Sequence, residues 1–352
     1  MKIHAQYGCH ELCFKQASGT SRGVLKTKTS YFIKLSAGSK VGYGECGLLK
    51  GLSYDDVPEY EEKLQWACKH ISLGLDQLWN SLLEFPSIQF GLEQAFLSLT
   101  SKTPFELFPS TFVNGVSTMA INGLVWMGDE SFMKSQIASV IEKDFSCVKI
   151  KIGAIDLEKE LRLLSSLRQQ FSTQELEIRV DANGAFNLKQ AMSVMETLKH
   201  LEVHSIEQPL GVSDMEDLAI LCQNPAIPVA LDESLIGRIN KADKSSLLDS
   251  IKPQYIVLKP SFIGGFKGSD QWISLAEERN IGWWATSALE SNVALNAIAQ
   301  WVFEKSPKMH QGLGTGSLYT NNILSPLYIK NGSIGYDPNN SWNTNLIDKL
   351  CI

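Results

Sequence analysis

The sequence has no C-x-x-C pair, no H-x-H or H-E-x-x-H, no basic run and no apolar stretch of membrane-spanning length. Each absence removes a class of function. The seven cysteines, at positions 9, 13, 46, 68, 147, 222 and 351, are odd in number and sit mostly in apolar contexts, which fits a reducing compartment better than a disulfide framework. The six histidines lack the pairing of a zinc hydrolase. A formal net charge of -6 without a basic cluster gives no footing for nucleic acid or an anionic membrane. The N-terminus lacks the charged start, apolar stretch and small-residue cleavage site of a signal peptide, and no later run reaches the roughly 20 apolar residues of a spanning helix. The expectation is a cytoplasmic chain whose 352 residues form one large or two modest domains. None of these features encodes an oligomeric state.

From Ile3 to Glu45 the residues read as extended, with strands around Glu11–Lys15, Gly23–Leu35 and Lys40–Gly44. The small residues of Ala17–Gly23 predict a mobile turn between the first two. Helical spacing follows at 55–71 and at 87–100, where Leu92, Ala95, Phe96 and Leu99 share a face. Such a meander followed by helices is an α+β unit. Beyond Pro109 short strands alternate with amphipathic helices. The strands are placed at 119–125, 147–152, 176–181, 203–207, 227–232, 254–259, 282–286 and 308–312, and the helices at 156–171, 187–199, 213–222, 269–279 and 291–304, with Asn187 and Ser269 as N-caps. Eight strands at this length favour a closed parallel barrel over an open sheet, and no glycine-rich phosphate turn follows 119–125. The stretch 320–352 lacks the alternation and carries turns at Asn331-Gly332 and Asp337-Pro338. The expected division is a capping unit over 1–112, a barrel over 113–319 and a C-terminal segment, 320–352, that packs back on the cap.

Val148-Lys149-Ile150-Lys151-Ile152 alternates apolar and cationic residues, predicting a strand with two lysines on one face. Downstream, strand-like runs end in Asp181, Glu207, Asp232 and Lys259, spaced by 26, 25 and 27 residues, one βα unit each. Consecutive barrel strands thus deliver three carboxylates and then an ammonium to the C-terminal rim, where barrel enzymes place their chemistry. Taken singly, Asp181 could shape a turn, Glu207 could be a solvated strand end and Asp232 could start a helix. A divalent cation accounts for all three at once, and all-oxygen ligands in that number suit Mg²⁺. Lysines beside such an ion titrate low, because positive neighbours and burial both disfavour protonation. Moving a lysine from about 10.4 to about 7.5 corresponds to roughly 4 kcal/mol and makes it a base near neutral pH. Lysines around Mg²⁺ imply abstraction of a proton α to a carboxylate, with the metal stabilising the enediolate, followed by elimination or reprotonation.

The Lys149/Lys151 pair, Asp181 with Asn183, Glu207-Gln208-Pro209, Asp232-Glu233-Ser234 and Lys259 together resemble the muconate-lactonizing-enzyme subgroup of the enolase superfamily over nearly the whole chain. The resemblance implies an α/β fold, a modified (β/α)₇β TIM barrel under an α+β capping domain. It implies Asp181, Glu207 and Asp232 as ligands of Mg²⁺, with Mn²⁺ as a substitute, and a small carboxylate as substrate. Within the subgroup the Gly42-Tyr43-Gly44-Glu45 strand end and short N-terminal domain look most like the branch that dehydrates 2-succinyl-6-hydroxy-2,4-cyclohexadiene-1-carboxylate in menaquinone biosynthesis. By that likeness Lys151 is the base and then the acid, Lys259 steadies the planar anion by a cation–π contact, and Lys149 lowers the pKa of Lys151 and touches the substrate carboxylate.

Arg179, two residues before Asp181 on the same face, either braces the carboxylates or forms a structural ion pair. Ser21 and Arg22, in the lid loop, are candidates for the succinyl tail. Gly312-Leu313-Gly314-Thr315-Gly316 is not G-x-G-x-x-G, and its amides, at Gly314 and Thr315 in particular, could receive a carboxylate. Glu290 is either a rim residue or a helix-start acid, and the latter is preferred. The nearest alternative is a racemase or epimerase, since paired lysines can deprotonate one face and reprotonate the other. Dipeptide epimerases of the subgroup carry Asp-x-Asp on the eighth strand, where this chain has Gly-Leu-Gly-Thr-Gly, whereas N-succinylamino acid racemases lack that marker and remain compatible. A non-catalytic scaffold would have no use for three carboxylates and three lysines at strand ends.

Overall fold

In the computed structural model, residues 2–20, 23–153 and 156–351 are described. Ser21 and Arg22 lie outside them. Strands β1 (His4–Thr20), β2 (Gly23–Ala37) and β3 (Lys40–Cys46) form an antiparallel sheet in the order β1-β2-β3. The small residues of 17–20 therefore do not interrupt a strand: pairing resumes at Ser18↔Leu25 after a register shift and runs to Thr20↔Gly23. Helices α1 (Tyr60–Lys69), α2 (Leu75–Ser81) and α3 (Pro86–Thr100) cover one face. Alternate residues of a strand face opposite ways. Accordingly Ile33 and Leu35 of β2 pack against these helices, while Phe32 faces a second cluster with Phe105 and Ile347. Strand β3 has Gly42 and Gly44 where α3 crosses it. A Cβ on Gly42 would lie 2.3 Å from the Ala95 carbonyl oxygen, and one on Gly44 2.0 Å from that of Gly91. The helix can approach only because both side chains are missing.

After β4 (Met119–Ala120), which belongs to a separate small sheet, the barrel begins with β5 (Gly123–Val125), then α4 (Glu130–Glu142), β6 (Cys147–Lys151), α5 (Leu157–Gln170) and β7 (Glu177–Asp181). It continues through α6 (Leu188–His200), β8 (Ser205–Glu207), α7 (Met215–Gln223), β9 (Val229–Leu231), α8 (Lys241–Ile251) and β10 (Tyr255–Leu258). The short α9 (Pro260–Ile263), α10 (Gly265–Glu277), β11 (Gly282–Ala285) and α11 (Asn292–Glu304) complete the repeat. Strands β5 to β11 form one parallel sheet in sequence order. An eighth segment joins its edges, since Gln311 bridges to Ile121 and Gly312 to Thr286, both in parallel. The fold is the expected (β/α)₇β barrel with a separate antiparallel N-terminal sheet. No helix among the described residues is long and apolar enough to cross a membrane.

Helices α4 and α8 have no counterpart in the sequence-based reading. α4 carries a short stripe, Met133, Ile137, Val140 and Ile141, of which only Met133 and Val140 are fully buried, and α8 opens on Lys-Ala-Asp-Lys-Ser-Ser before Leu247, Leu248 and Ile251, so the apolar pattern is short in both. Their N-caps were the available signal: Asp129 accepts from the Phe132 N–H and Asn240 from that of Asp243. Asn187 is an N-cap as expected and forms a capping box with Gln190. Ser269 is not, because α10 starts at Gly265 and the buried Ser269 hydroxyl donates to the Gly265 carbonyl.

After the barrel, β12 (Leu327–Lys330) and β13 (Ser333–Tyr336) form a hairpin whose turn residues Asn331 and Gly332 have φ of 49° and 63°. Two left-handed residues are what a tight two-residue hairpin needs. The hairpin pairs with β4, while α12 (Asn345–Leu350) lies against β1 and β2. There Asp348 accepts from Tyr43 Oη at 2.9 Å and pairs with Lys34 at 2.7 Å.

Glu45, at the end of β3, ties this sheet to the barrel. Its buried carboxylate accepts from Ser30 Oγ, from the Ser291 N–H and hydroxyl, and from the Ala294 N–H at the start of α11. Glu45→Ala orphans two buried backbone donors, each costing about 1–3 kcal/mol. Chemical denaturation should therefore show a loss of at least about 2 kcal/mol in the variant; an unchanged midpoint would mean that water replaces the carboxylate there.

Candidate active site

Strand register assembles the site. On β6, Lys149 and Lys151 share the inward face, and Lys151 pairs directly with Asp181 of β7, which pairs with Glu207 of β8. Asp232 follows β9, and Lys259 follows β10 as the N-terminal neighbour of α9. Lys149 Nζ donates to Asp181 Oδ2 at 2.9 Å and to both Glu207 oxygens at 2.7 and 2.8 Å. Lys151 Nζ reaches the same Asp181 oxygen at 2.7 Å and Asn183 Oδ1 at 2.6 Å. Lys259 donates to Asp232. Asn183, just after β7, reaches past β8 to the turn after β9 by donating to Glu233 Oε1 at 2.9 Å.

All three carboxylates are buried. Burial acts to raise Asp181, but the ammonium groups of Lys149 and Lys151 outweigh it and hold this acid well below the usual carboxylate range. Glu207 goes the other way: burial and the charge of Asp181 push it up to about 7 despite Lys149. Burial also raises Asp232, with Lys259 opposing. Lys149 and Lys259 are both raised, because nearby carboxylates outweigh the desolvation that would lower them. The lowering expected from the sequence is that of a lysine beside a bound cation, and these directions belong to the site without one. Among the described residues the three acids do not converge on one point: Lys149 bridges two of them and Lys259 holds the third. The ammonium groups thus act as counter-ions for an all-oxygen donor set whose raised acids mark a deficit of positive charge. That chemistry fits a hard divalent cation.

Lys149, Lys151, Asn183, Glu233 and Lys259 line a cavity of ≈ 680 Å³, roofed by Leu25, Leu49 and Leu52 and flanked by Gly314 and Thr315. Thr315 Oγ1 is 2.6 Å from Ser287 Oγ. Arg179 does not brace these acids. Its Nε donates to Glu177 at 2.7 Å, Nη1 to the His310 carbonyl at 3.0 Å, and the guanidinium lies 4.4 Å from the Trp284 ring centre. Glu290 immediately precedes Ser291, the N-cap of α11, and is buried, accepting from Ser261 Oγ and the Ala288 N–H, both at 2.6 Å. Sequence reasoning missed Gln208. Its Oε1 accepts from the Asp232 and Ser234 N–H groups at 3.1 and 3.2 Å, and its Nε2 donates to Ser234 Oγ at 2.9 Å, fixing the turn that carries Asp232. The signal lies inside Glu207-Gln208-Pro209, in which the spacing of strand ends singles out only the glutamate.

Residues 133–338 match the family described as enolase C-terminal domain-like. An o-succinylbenzoate synthase from Desulfotalea psychrophila is 42% identical over 95% of this chain and 99% of its own. The crystal structure of MenC from Desulfotalea psychrophila LSv54 superposes with a TM-score of 0.84 at 38% identity, covering 95% of this chain and 99% of that one. An N-succinylamino acid racemase from Thermus thermophilus is 28% identical over 80% of this chain and 77% of its own. With a shared barrel and a likeness that runs almost end to end, the chain belongs to the o-succinylbenzoate synthase family of the enolase superfamily, a family of carbon–oxygen lyases.

Proposed function

We propose that this protein dehydrates 2-succinyl-6-hydroxy-2,4-cyclohexadiene-1-carboxylate to o-succinylbenzoate for menaquinone synthesis in the cytoplasm, with Asp181, Glu207 and Asp232 holding Mg²⁺. The observation that carries this reading is Lys151: its ammonium lies 2.7 Å from Asp181 and lines the same cavity as Lys259. When bound, the ion would supply positive charge to offset the negative charge developing on the substrate carboxylate. Neutral Lys151 takes the proton from the carbon bearing the carboxylate. The electron pair left behind forms the ring double bond as the neighbouring C–O bond breaks, and protonated Lys151 gives its proton to the departing hydroxide. One water is lost and the ring becomes aromatic. Lys259, four strands away from Lys151 in the sheet order, faces the ring from across the barrel. Asn183, bonded to Lys151 and Glu233, orients the base. In this reading 1–112 roofs the site, 113–319 carries it, and 320–352 seals the cap against the barrel.

A second reading, one-carbon proton exchange on N-succinylamino acids, draws on the Thermus thermophilus relative and on the lysines at opposite sides of the barrel. Purified protein with Mg²⁺ and the cyclohexadiene substrate should show rapid loss of diene absorbance, and Lys151→Ala should lower kcat about 10²–10⁴-fold. No loss with the intact protein, together with solvent deuterium entering the α-position of N-succinylamino acids, would move the assignment to the racemase.

The metal ligands have a separate test. With no ion bound, the raised Glu207 stabilises the fold fully below its unfolded pKa, near 4.5, and that contribution is lost as pH rises through about 7. Mg²⁺ binds the ionised form. The rise in Tm on adding Mg²⁺ should thus be larger at pH 8 than at pH 5 and absent in Asp232→Asn. An equal rise at both pH values, or one that survives Asp232→Asn, would remove these acids from the metal site.

A further inference from the structure

The barrel has a second inward-facing polar cluster at its other end. Cys147 opens β6 and Glu177 opens β7, directly paired in register, each four residues before Lys151 and Asp181 respectively. That places them about 13 Å below the lysine and carboxylate rim. His310 enters from the segment that closes the barrel. Cys147 Sγ is 3.4 Å from Glu177 Oε1, and His310 Nδ1 is 4.0 Å from that same oxygen. One donor atom from each of the three residues lies within 4.8 Å of the others. A tetrahedral zinc ion with bonds of about 2.0–2.3 Å needs ligand separations of about 3.3–3.7 Å, so closure asks for movements of about 1 Å.

We infer that Cys147, Glu177 and His310 form a second metal site, suited to Zn²⁺, with a solvent molecule as the fourth ligand. Ligand softness separates it from the rim: thiolate and imidazole favour zinc, whereas the all-oxygen set of Asp181, Glu207 and Asp232 favours a hard ion. The groups around the triad orient it. Ser146 Oγ lies 2.9 Å from His310 Nε2, which leaves Nδ1, the nitrogen facing Glu177, as the coordinating atom. Arg179 clamps two of the three ligand residues, through the Glu177 carboxylate and the His310 carbonyl. Its own Nη2 is buried and has no acceptor among the described residues. A metal-bound water or hydroxide is an acceptor suited to that donor.

Two terms oppose binding. Burial raises the Cys147 thiol, which must lose its proton to solvent as the ion enters, and the Arg179 charge repels a cation. In favour, burial holds His310 below the usual histidine range, so the ring is neutral and can coordinate. Glu177 and His310 are partly exposed, leaving the site open to solvent from the base of the barrel.

The test uses Co²⁺ added to chelator-treated full-length protein in excess Mg²⁺, so that the rim is occupied by the hard ion. One equivalent of Co²⁺ should give a thiolate-to-metal charge-transfer band that one equivalent of Zn²⁺ displaces. The band should vanish in Cys147→Ala, weaken at least about tenfold in affinity in His310→Asn and Glu177→Gln, and persist in Asp232→Asn. Retention of the Mg²⁺-dependent rise in Tm by the Cys147 and His310 variants shows that they are folded. No band in the intact protein, or a band that survives Cys147→Ala, overturns the inference, as does one lost only in Asp232→Asn.

Discussion

Asp181, Glu207 and Asp232 are buried side by side at the ends of neighbouring strands, and the cost of keeping their charges out of water organises the rest of the barrel. Two lysines spaced two residues apart on β6 and a third after β10 meet that cost in part. The compensation is uneven. Asp181 is served by two ammonium groups and stays ionised, while Glu207 shares Lys149 with it and is pushed up to about 7. A site in which one acid is comfortably charged and its neighbour is not is prepared to take up further positive charge. A cation bound there would free the lysines from acting as counter-ions, as the proposed function requires.

The same constraint explains why the cap is held so tightly. A cavity lined by lysines and acids performs acid–base chemistry only if water is kept from it, and Leu25, Leu49 and Leu52 supply the apolar roof. Their position depends on β3. Its two glycines let α3 come within contact distance, and Glu45 at its end bonds the first turn of α11. Roof and barrel are thus joined through hydrogen bonds that exist only when both are folded.

Much of this was legible in the sequence because a strand's alternation and the length of a βα unit are both short-range properties. The spacing of Asp181, Glu207, Asp232 and Lys259 named the rim, and the structure brings those residues together with Lys149, Lys151, Asn183 and Glu233. What was not legible depends on contacts distant in sequence. Helices α4 and α8 carry only short apolar stripes, and Ser269 looks like a cap until one sees that α10 begins four residues earlier, where Glu93 of α3 accepts from the Phe266 and Lys267 N–H groups. Gln208 has left-handed φ and serves as a brace for Asp232, a role that no local pattern signals.

Arg179 shows where alternation stops being informative. It identifies the face on which a side chain lies but not its height inside the barrel. Two residues along a strand is about 6.6 Å, and a guanidinium can reach either way over that distance. Both oxygens of Asp181 already accept hydrogen bonds, Oδ2 from Lys149 and Lys151 and Oδ1 from the Asn183 N–H, so the carboxylate offers Arg179 no free position. Toward the base, Glu177, the His310 carbonyl and the face of Trp284 are all within reach, and Arg179 is drawn to them. The barrel consequently carries two polar layers of different chemistry on one set of strands. Acids and ammonium groups occupy the top, while a thiol, an imidazole and an arginine-held carboxylate occupy the bottom, so a soft ion and a hard ion would sort themselves to opposite ends.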